Sequence, residues 1–264
     1  MNKTKIDWAD MSWNPVTGCL HGCEYCYARK IAERFKGGGY GREGMFIGKY
    51  KDNAFSPPYV LNELQFAKTK EDWYRDAPYP FGFEPTFHRY RLSEPLQIKK
   101  PQNIFVCSMA DLFGEWVPRE WIRDVFGACA AAPRHRYLLL TKNPARYRSL
   151  QSRGWLPYEF WYGTTVTTGK GEYFSHSEYR SFLSIEPIVC PVNIDRRPQQ
   201  VLPDWVIVGA ETGNRKGKVI PEKAWIDDIL AACVRANVPI FMKESLRAIM
   251  GEDFIQMYPW EIST

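Results

Sequence analysis

The sequence predicts an α/β protein, a single (βα) barrel of six to eight units, and two observations predict it. Short runs rich in β-branched and aromatic residues alternate with segments of helical periodicity along most of the chain, a pattern typical of βα units. The length of 264 residues also suits one such barrel, which runs to about 250 residues. An open doubly wound sheet is the main alternative, but nothing resembling GxGxxG follows the first predicted strand.

The predicted elements follow in order along the chain. A first strand around Met11–Val16 leads into a cysteine-rich loop, and a helix over Tyr27–Phe35 ends at the glycines 37–39. Strands and helices then alternate from residue 83 onward. The further predicted strands are Phe83–His88, Asn103–Cys107, Tyr137–Leu140, Phe160–Val166, Ser181–Ile185, Trp205–Val208 and Ile240–Met242, and the further helices are Arg119–Ala132, Pro144–Ser152 and Pro221–Ala236.

Residues 36–80 do not follow the alternation of strands and helices. They are rich in Gly, Pro and aromatic residues and hold one predicted helix, around Val60–Lys68. We therefore expect a single domain over residues 1–264 with an insertion at about 36–80 over the mouth of the barrel. A surface excursion without function accounts for the same composition equally well.

Composition and charge narrow the class of protein. Hydrophobic residues make up 45% and charged residues 25%, which is ordinary for a globular chain. No apolar run approaches the 18 residues of a membrane span, and no apolar segment of a signal peptide follows the first lysines. We expect a cytoplasmic protein with no membrane partner. The formal net charge of +5 is compatible with a polyanionic partner without requiring one.

The cysteines carry the most specific signal. Seven cysteines without a signal peptide argue against a disulfide framework. Four stand alone in apolar stretches, and we expect them to be small buried hydrophobic residues. The other three lie within eight residues at the spacing C-x3-C-x2-C. The isolated four are Cys107, Cys129, Cys190 and Cys233, and the clustered three are Cys19, Cys23 and Cys26.

Three clustered thiols favour an iron–sulfur cluster over structural zinc. Structural zinc needs four ligands in a closed tetrahedron, and His21 lies too close in sequence to complete it easily. A four-iron cluster with three cysteine ligands keeps one iron open for a substrate or cofactor. Gly18 and Gly22 let the loop backbone wrap around an inorganic core, and Tyr25 offers an aromatic face beside it.

This loop resembles the signature of the radical SAM superfamily. With WNPVTGC, IFVCSMADLF, LLLTKNP, SIEP, DWVIVGAETG and IFMKES, it resembles a small phage-associated family of radical-SAM-like proteins of unknown function. The resemblance runs from about Trp8 to Lys243 and implies a TIM-barrel-like fold, a [4Fe-4S] cluster, S-adenosylmethionine and an electron donor such as flavodoxin or ferredoxin. It implies that S-adenosylmethionine is cleaved to a 5′-deoxyadenosyl radical. No Gly-Gly-Glu segment follows the second strand, so the residues that hold the methionine moiety do not follow from the resemblance.

Polar residues follow the predicted strands at the end of a barrel where active sites lie. Lys142 is a candidate partner of the methionine carboxylate, and Glu186 or Glu211 of the ribose hydroxyls or the amino group; we take these three as the catalytic candidates. Solvent contact at strand ends explains any one such residue equally well. We expect the set to share one cavity with the cysteine loop. The cofactor-binding candidates are Tyr25, Ser108, Asp111, Thr141, Lys142, Ser184, Glu186 and Glu211.

Two segments interleave basic and aromatic residues, FHRYR at 87–91 and KNPARYR at 142–148. Arginines can contact phosphates, and aromatic rings can stack on bases. A solvent-exposed basic surface without a nucleic-acid partner would give the same sequence pattern. With the phage association, Arg89, Arg91, Arg146 and Arg148 favour a modified pyrimidine base in phage DNA, in the host cytoplasm, as the substrate. The alternatives are a radical SAM enzyme acting on a free small molecule or peptide, and a non-catalytic nucleic-acid-binding protein stapled by its metal. A chain of 264 residues can bury enough apolar surface to fold without a structural metal, which disfavours the last alternative.

Overall fold

The structure is a computed structural model that describes residues 1–36, 57–68, 74–169, 171–194 and 201–262. The chain divides into two compact units. Unit 1 holds Met1–Lys3 and Met11–Tyr137, and unit 2 holds Thr4–Asp10 and Leu138–Thr264.

Unit 1 carries the cysteine loop between short strands and a helix. Strand β2 pairs with β1 in antiparallel and with β8 in parallel orientation, while β3, β7 and β4 form a second small sheet and β5 and β6 a hairpin. Helix α3 buries one apolar side, as amphipathic helices do. The elements are β1 Asn2–Lys3, β2 Met11–Trp13, β3 Val16–Thr17, α1 Tyr27–Phe35, β4 Tyr59–Leu61, β5 Phe66–Lys68, β6 Tyr74–Asp76, β7 Thr86–His88, a 3-10 turn Arg89–Arg91, α2 Glu94–Gln97, β8 Asn103–Val106 and α3 Arg119–Ala131.

Strand β9, Arg136–Thr141, begins in unit 1 and continues into unit 2, where β9 to β13 pair in parallel and in chain order. The four residues of β12 are all buried, which is typical of a parallel strand covered on both faces. Helix α5 ends at Asn237 in the left-handed conformation, a common helix stop. The elements are α4 Pro144–Gln151, β10 Trp161–Thr165, β11 Arg180–Ile185, β12 Trp205–Val208, α5 Lys223–Ala236, β13 Ile240–Met242, α6 Arg247–Met250 and 3-10 turns at Glu244–Leu246 and Gly251–Asp253.

The prediction of a closed (βα) barrel is wrong, although the α/β class and the mostly parallel strands are observed. The strand order runs from β1 to β13 and does not close on itself. In each unit a short segment pairs with the last parallel strand. Residues 2–3 pair with β2, and the segment 255–257 bonds β13 through Met242 N to Ile255 O and Met257 N to Ile240 O. Each segment occupies a strand edge of its own unit that would otherwise be unpaired.

Two further predictions about the elements are corrected. The expected barrel strand Phe83–His88 is the shorter β7, which belongs to the sheet β3-β7-β4. The expected helix around Val60–Lys68 is wrong, because that segment holds β4 and β5. Much of the predicted insertion, residues 37–56 and 69–73, lies outside the described residues, so its place over a mouth stays a prediction.

Candidate metal centre and flanking polar residues

The cysteine loop runs from β3 to the start of α1 and is fixed by backbone hydrogen bonds at both ends. Gly18 N donates to Met109 O at 2.9 Å, and Cys19 N donates to Phe83 O at 3.2 Å. At the other end Cys26 N donates to Cys23 O, and Cys26 is the N-cap of α1, its Sγ accepting from Arg29 N at 3.4 Å. The third cysteine is therefore placed by the helix itself.

Gly18 is required by the close approach of two backbone segments. Its φ is +87°, a conformation that favours glycine, and a Cβ added there would lie 2.2 Å from Glu84 O. Gly22 has a φ of +69° but no atom within 4 Å of the added Cβ. Gly18 is therefore required both by close packing and by its backbone conformation, whereas Gly22 is favoured by its backbone conformation alone.

The loop that follows β8 packs beside the cysteine loop. Cys107 begins it with a φ of +61°, which is uncommon for a residue other than glycine. Asn14 Oδ1 accepts hydrogen bonds from Ser108 Oγ at 3.2 Å and Met109 N at 3.0 Å, and Tyr27 OH donates to Ser108 O at 2.8 Å. The predicted site residue Ser108 is thus a structural link between the start of α1 and the β8 loop.

Asp111, the other predicted site residue of this loop, contacts the cysteine loop directly. Its Oδ2 lies 2.7 Å from Nε2 of His21, which stands between Cys19 and Cys23, and its Oδ1 accepts from Phe113 N at 3.0 Å. Asp111 is only 5% exposed. Sequence reasoning placed Asp111 in the site but treated His21 only as a doubtful metal ligand.

The three clustered thiols are half-buried. Cys19 and Cys26 pack against one apolar cluster, formed by Ala28, Ala32, Phe83 and Met109. Burial raises the pKa of the Cys19 thiol to about 12; a backbone hydrogen bond of His21 opposes this rise, while Asp111 and the other two thiols add to it. Metal binding must therefore displace a proton from Cys19. In the described part of the chain, no three His, Cys, Asp or Glu side chains converge as a group that could hold one metal ion. Tyr25 is half-buried.

The isolated cysteines largely match the expectation. Cys107, Cys129 and Cys233 are buried free thiols, and burial raises the pKa of each, to about 12 for Cys107 and Cys233. Cys190 is only half-buried, and its Sγ donates to Thr167 O at 3.6 Å, so the expectation of full burial is wrong there.

The polar residues at the ends of β9 and β11 divide into buried structural residues and one accessible residue. Thr141 is buried, and its Oγ1 accepts from Asn143 N at 2.9 Å, which shapes the turn into α4. Ser184 is buried within β11. Lys142, in contrast, is half-buried and lines a cavity of about 340 Å³ together with Thr165, Thr167, Thr168 and Glu172. Of the three predicted residues, Lys142 alone lines this opening.

Glu186 and Glu211 each face a cation of their own unit. Glu186 Oε1 pairs with Lys243 Nζ, and both side chains are partly exposed. Glu211 is almost fully buried and forms a bidentate pair with Arg215, at 2.6 Å to Nε and 2.8 Å to Nη2. Such forked pairs are geometrically specific and hold the carboxylate in place. The catalytic prediction for these glutamates omitted both cations.

The four predicted nucleic-acid contacts differ in exposure and in partners. Arg89 is exposed, with a long hydrogen bond of 3.4 Å to Asn62 Oδ1. Arg91 is half-buried and donates to Asn14 O and Tyr90 OH. Arg146 is half-buried in α4, and Arg148 pairs with Glu172 at 2.5 Å and donates to Tyr173 O. Arg89 is therefore the arginine of this set best placed to contact a phosphate.

The fold and the loop together define an α/β protein with mostly parallel strands and a three-cysteine loop. The chain belongs to a family described as "Protein of unknown function (DUF5131)", whose model matches residues 3–249. No curated protein and no solved structure matches the chain. Among the residues that the structure describes, no helix is long and apolar enough to cross a membrane.

Proposed function

We propose that this chain is a radical SAM enzyme whose Cys19, Cys23 and Cys26 hold a [4Fe-4S] cluster. The observation that carries the proposal is the placement of these thiols. Cys19 and Cys26 pack against one apolar cluster, and Cys23 lies between them in the same loop, which hydrogen-bonds to Met109 in the loop after β8 and leads into α1. The resemblance of this loop to the radical SAM signature supports the same assignment.

The donor set fits such a cluster. Each thiolate ligand of a [4Fe-4S] cluster binds a different iron, so the three sulfurs need not converge on one point as the ligands of a single ion do. The backbone N–H of Arg29, in the first turn of α1, donates to the sulfur of Cys26, and a helix N-terminus favours negative charge. Arg29 Nη2 also donates to Cys19 O at 3.3 Å, which ties the first ligand to the same helix.

A cluster held by Cys19, Cys23 and Cys26 would supply the one electron that reductive cleavage of S-adenosylmethionine to a 5′-deoxyadenosyl radical requires. The protein orients the reactants and keeps water out. The apolar cluster around Phe83 and Met109 provides a dry wall for two of the ligands. Lys142, beside its cavity, remains our proposed contact for the methionine carboxylate. Glu186 and Glu211 would accept from ligand hydroxyls while paired to their cations.

The enzyme class is tested by cleavage of S-adenosylmethionine. The chain is reconstituted anaerobically with iron and sulfide and incubated with S-adenosylmethionine and dithionite, and 5′-deoxyadenosine is measured by mass spectrometry. We expect 5′-deoxyadenosine from the wild-type chain and from Cys129→Ala, whose thiol is buried in α3, and none from Cys19→Ala. Wild-type protein that carries the cluster but yields no 5′-deoxyadenosine would contradict the assignment.

For the substrate, we favour a modified pyrimidine base in phage DNA, acted on in the cytoplasm of the bacterial host with flavodoxin or ferredoxin as the electron donor. The resemblance to a phage-associated family supports this choice, and so does the exposed Arg89, whose guanidinium can contact a phosphate. A base in a duplex would be flipped out of the stack to react.

The substrate is tested by the salt dependence of DNA binding. Each phosphate contact adds about 0.9 to the slope of log affinity against log salt. Arg89→Ala should weaken DNA binding at low salt. It should also reduce the slope of log affinity against log salt by about 0.9, the contribution of one phosphate contact. Arg123→Ala, which removes an exposed arginine of α3 paired with Asp124, is the matched control and should change neither value. Binding that is absent or independent of salt would favour a free small molecule or peptide instead.

A further inference from the structure

His21 and Asp111 form a side-chain link between the cysteine loop and the loop after β8. Asp111 lies in the loop after β8, 90 residues further along the chain than His21. Because an ionised carboxylate has no proton to donate, His21 Nε2–H is the donor at 2.7 Å. The second carboxylate oxygen accepts from Phe113 N, so Asp111 is held on both oxygens.

The surroundings of the pair hold His21 in one orientation. Trp116 packs edge to face against the imidazole, with ring centroids 4.9 Å apart. The side chain of Asp111 is 7% exposed and that of His21 is 24% exposed. Hydrogen bonds of charged groups out of bulk water are stronger than those at the surface. Since His21 separates Cys19 from Cys23, fixing its side chain restricts the position of both.

Asp111 also brings a charge to the proposed cluster. Its Oδ2 lies 2.7 Å from the imidazole of His21, the residue between Cys19 and Cys23, so its carboxylate lies beside the loop that carries all three thiols. Negative charge near an iron–sulfur cluster favours its oxidised state, and such neighbouring groups are among the main controls of reduction potential. The buried carboxylate of Asp111 would therefore act on the cluster through its charge as well as through its hydrogen bonds.

We propose that His21 and Asp111 are positioning residues of the metal centre: the hydrogen bond between them latches the cysteine loop onto the β8 loop, and the charge of Asp111 lowers the reduction potential of the bound cluster. This inference rests on the proposed function for its second part. The first part concerns the chain alone.

Two variants separate the two roles. His21→Ala removes the latch and leaves the cysteines in place. Asp111→Asn keeps a side chain of the same shape that can still hydrogen-bond to an imidazole and to Phe113 N, but it removes the charge. His176→Ala is the matched control, because His176 also faces a carboxylate, Glu178, outside the cysteine loop. Circular dichroism confirms that each variant is folded.

The measurements are hydrogen exchange over residues 18–26, iron retained against a chelator, and the midpoint potential from a redox titration followed by electron paramagnetic resonance. We expect His21→Ala to speed exchange in the loop and to lose iron roughly 10-fold faster, as changes beside metal ligands typically do. We expect Asp111→Asn to retain iron like the wild type and to show a higher potential. His176→Ala should match the wild type in all three.

Each failure has a distinct meaning. Wild-type exchange and iron retention in His21→Ala would overturn the latch, and an unchanged potential in Asp111→Asn would overturn the role of the charge. If the wild-type chain takes up no iron and sulfide, the proposed function is wrong and the role of the charge falls with it. Hydrogen exchange in His21→Ala then still decides whether the latch exists.

Discussion

Single residues decide the path of the backbone around the proposed metal centre. Gly18 and Cys107 both have positive φ values, and both stand where a strand gives way to a loop that meets the other. Backbone in such conformations persists only where its surroundings enforce it, and it is concentrated at functional sites. The hydrogen bond from Gly18 N to Met109 O joins the two loops that begin at Gly18 and Cys107.

Gly18→Ala should therefore be much more harmful than Gly22→Ala. Both substitutions place a Cβ at a positive φ, which costs about 1–2 kcal/mol. Only at Gly18 does the new Cβ overlap Glu84 O, so its total loss should reach about 3 kcal/mol or more. Urea unfolding of the two variants measures the difference. Equal losses would mean that the segment around Glu84 moves aside without cost.

At the scale of elements, the sheet β3-β7-β4 supports the start of the cysteine loop. Thr17, the last residue of β3, lies with its Oγ1 2.8 Å from Nε2 of the fully buried His88 on β7. Burial lowers the pKa of His88 well below its usual value, and the positive charge of Arg91 lowers it further. His88 is therefore a neutral partner of Thr17 at physiological pH.

This burial predicts a loss of stability in weak acid. The unfolded chain protonates His88 near its usual pKa of about 6.5, whereas the folded chain does so only at lower pH. The contribution is therefore complete above about pH 6.5 and is lost as the pH falls, by up to about 1.4 kcal/mol per pH unit. Urea unfolding between pH 7.5 and 5.5 should show a shallower pH slope for His88→Gln than for the wild type. A slope for His88→Gln equal to that of the wild type would contradict the account.

At the scale of the whole molecule, each unit has a short segment paired with its last parallel strand. Residues 2–3 pair with β2, and residues 255–257 bond to β13. Neither segment has a pattern that predicts it, because two or three residues show no periodicity. The longer elements were predictable for the opposite reason: α1, β12 and β13 have the bounds that their local patterns indicate.

The candidate site shows the same contrast between local patterns, which the sequence displays, and contacts between distant residues, which it does not. The spacing of the three cysteines and the placement of Ser108, Asp111 and Lys142 after strands are local signals that the sequence displays. The partners of these residues are not local. Asn14 and Ser108 are 94 residues apart, and Lys243 and Glu186 are 57 residues apart, so only the fold brings them together.

The central claim, that the three-cysteine loop holds a [4Fe-4S] cluster, is tested most directly by metal and sulfide analysis of the chain handled without oxygen. We expect about four irons and four sulfides per wild-type chain after reconstitution. The same content is expected for Cys129→Ala and almost none for Cys19→Ala. Stoichiometric zinc without sulfide in the wild-type chain, or an unchanged iron content in Cys19→Ala, would contradict the claim.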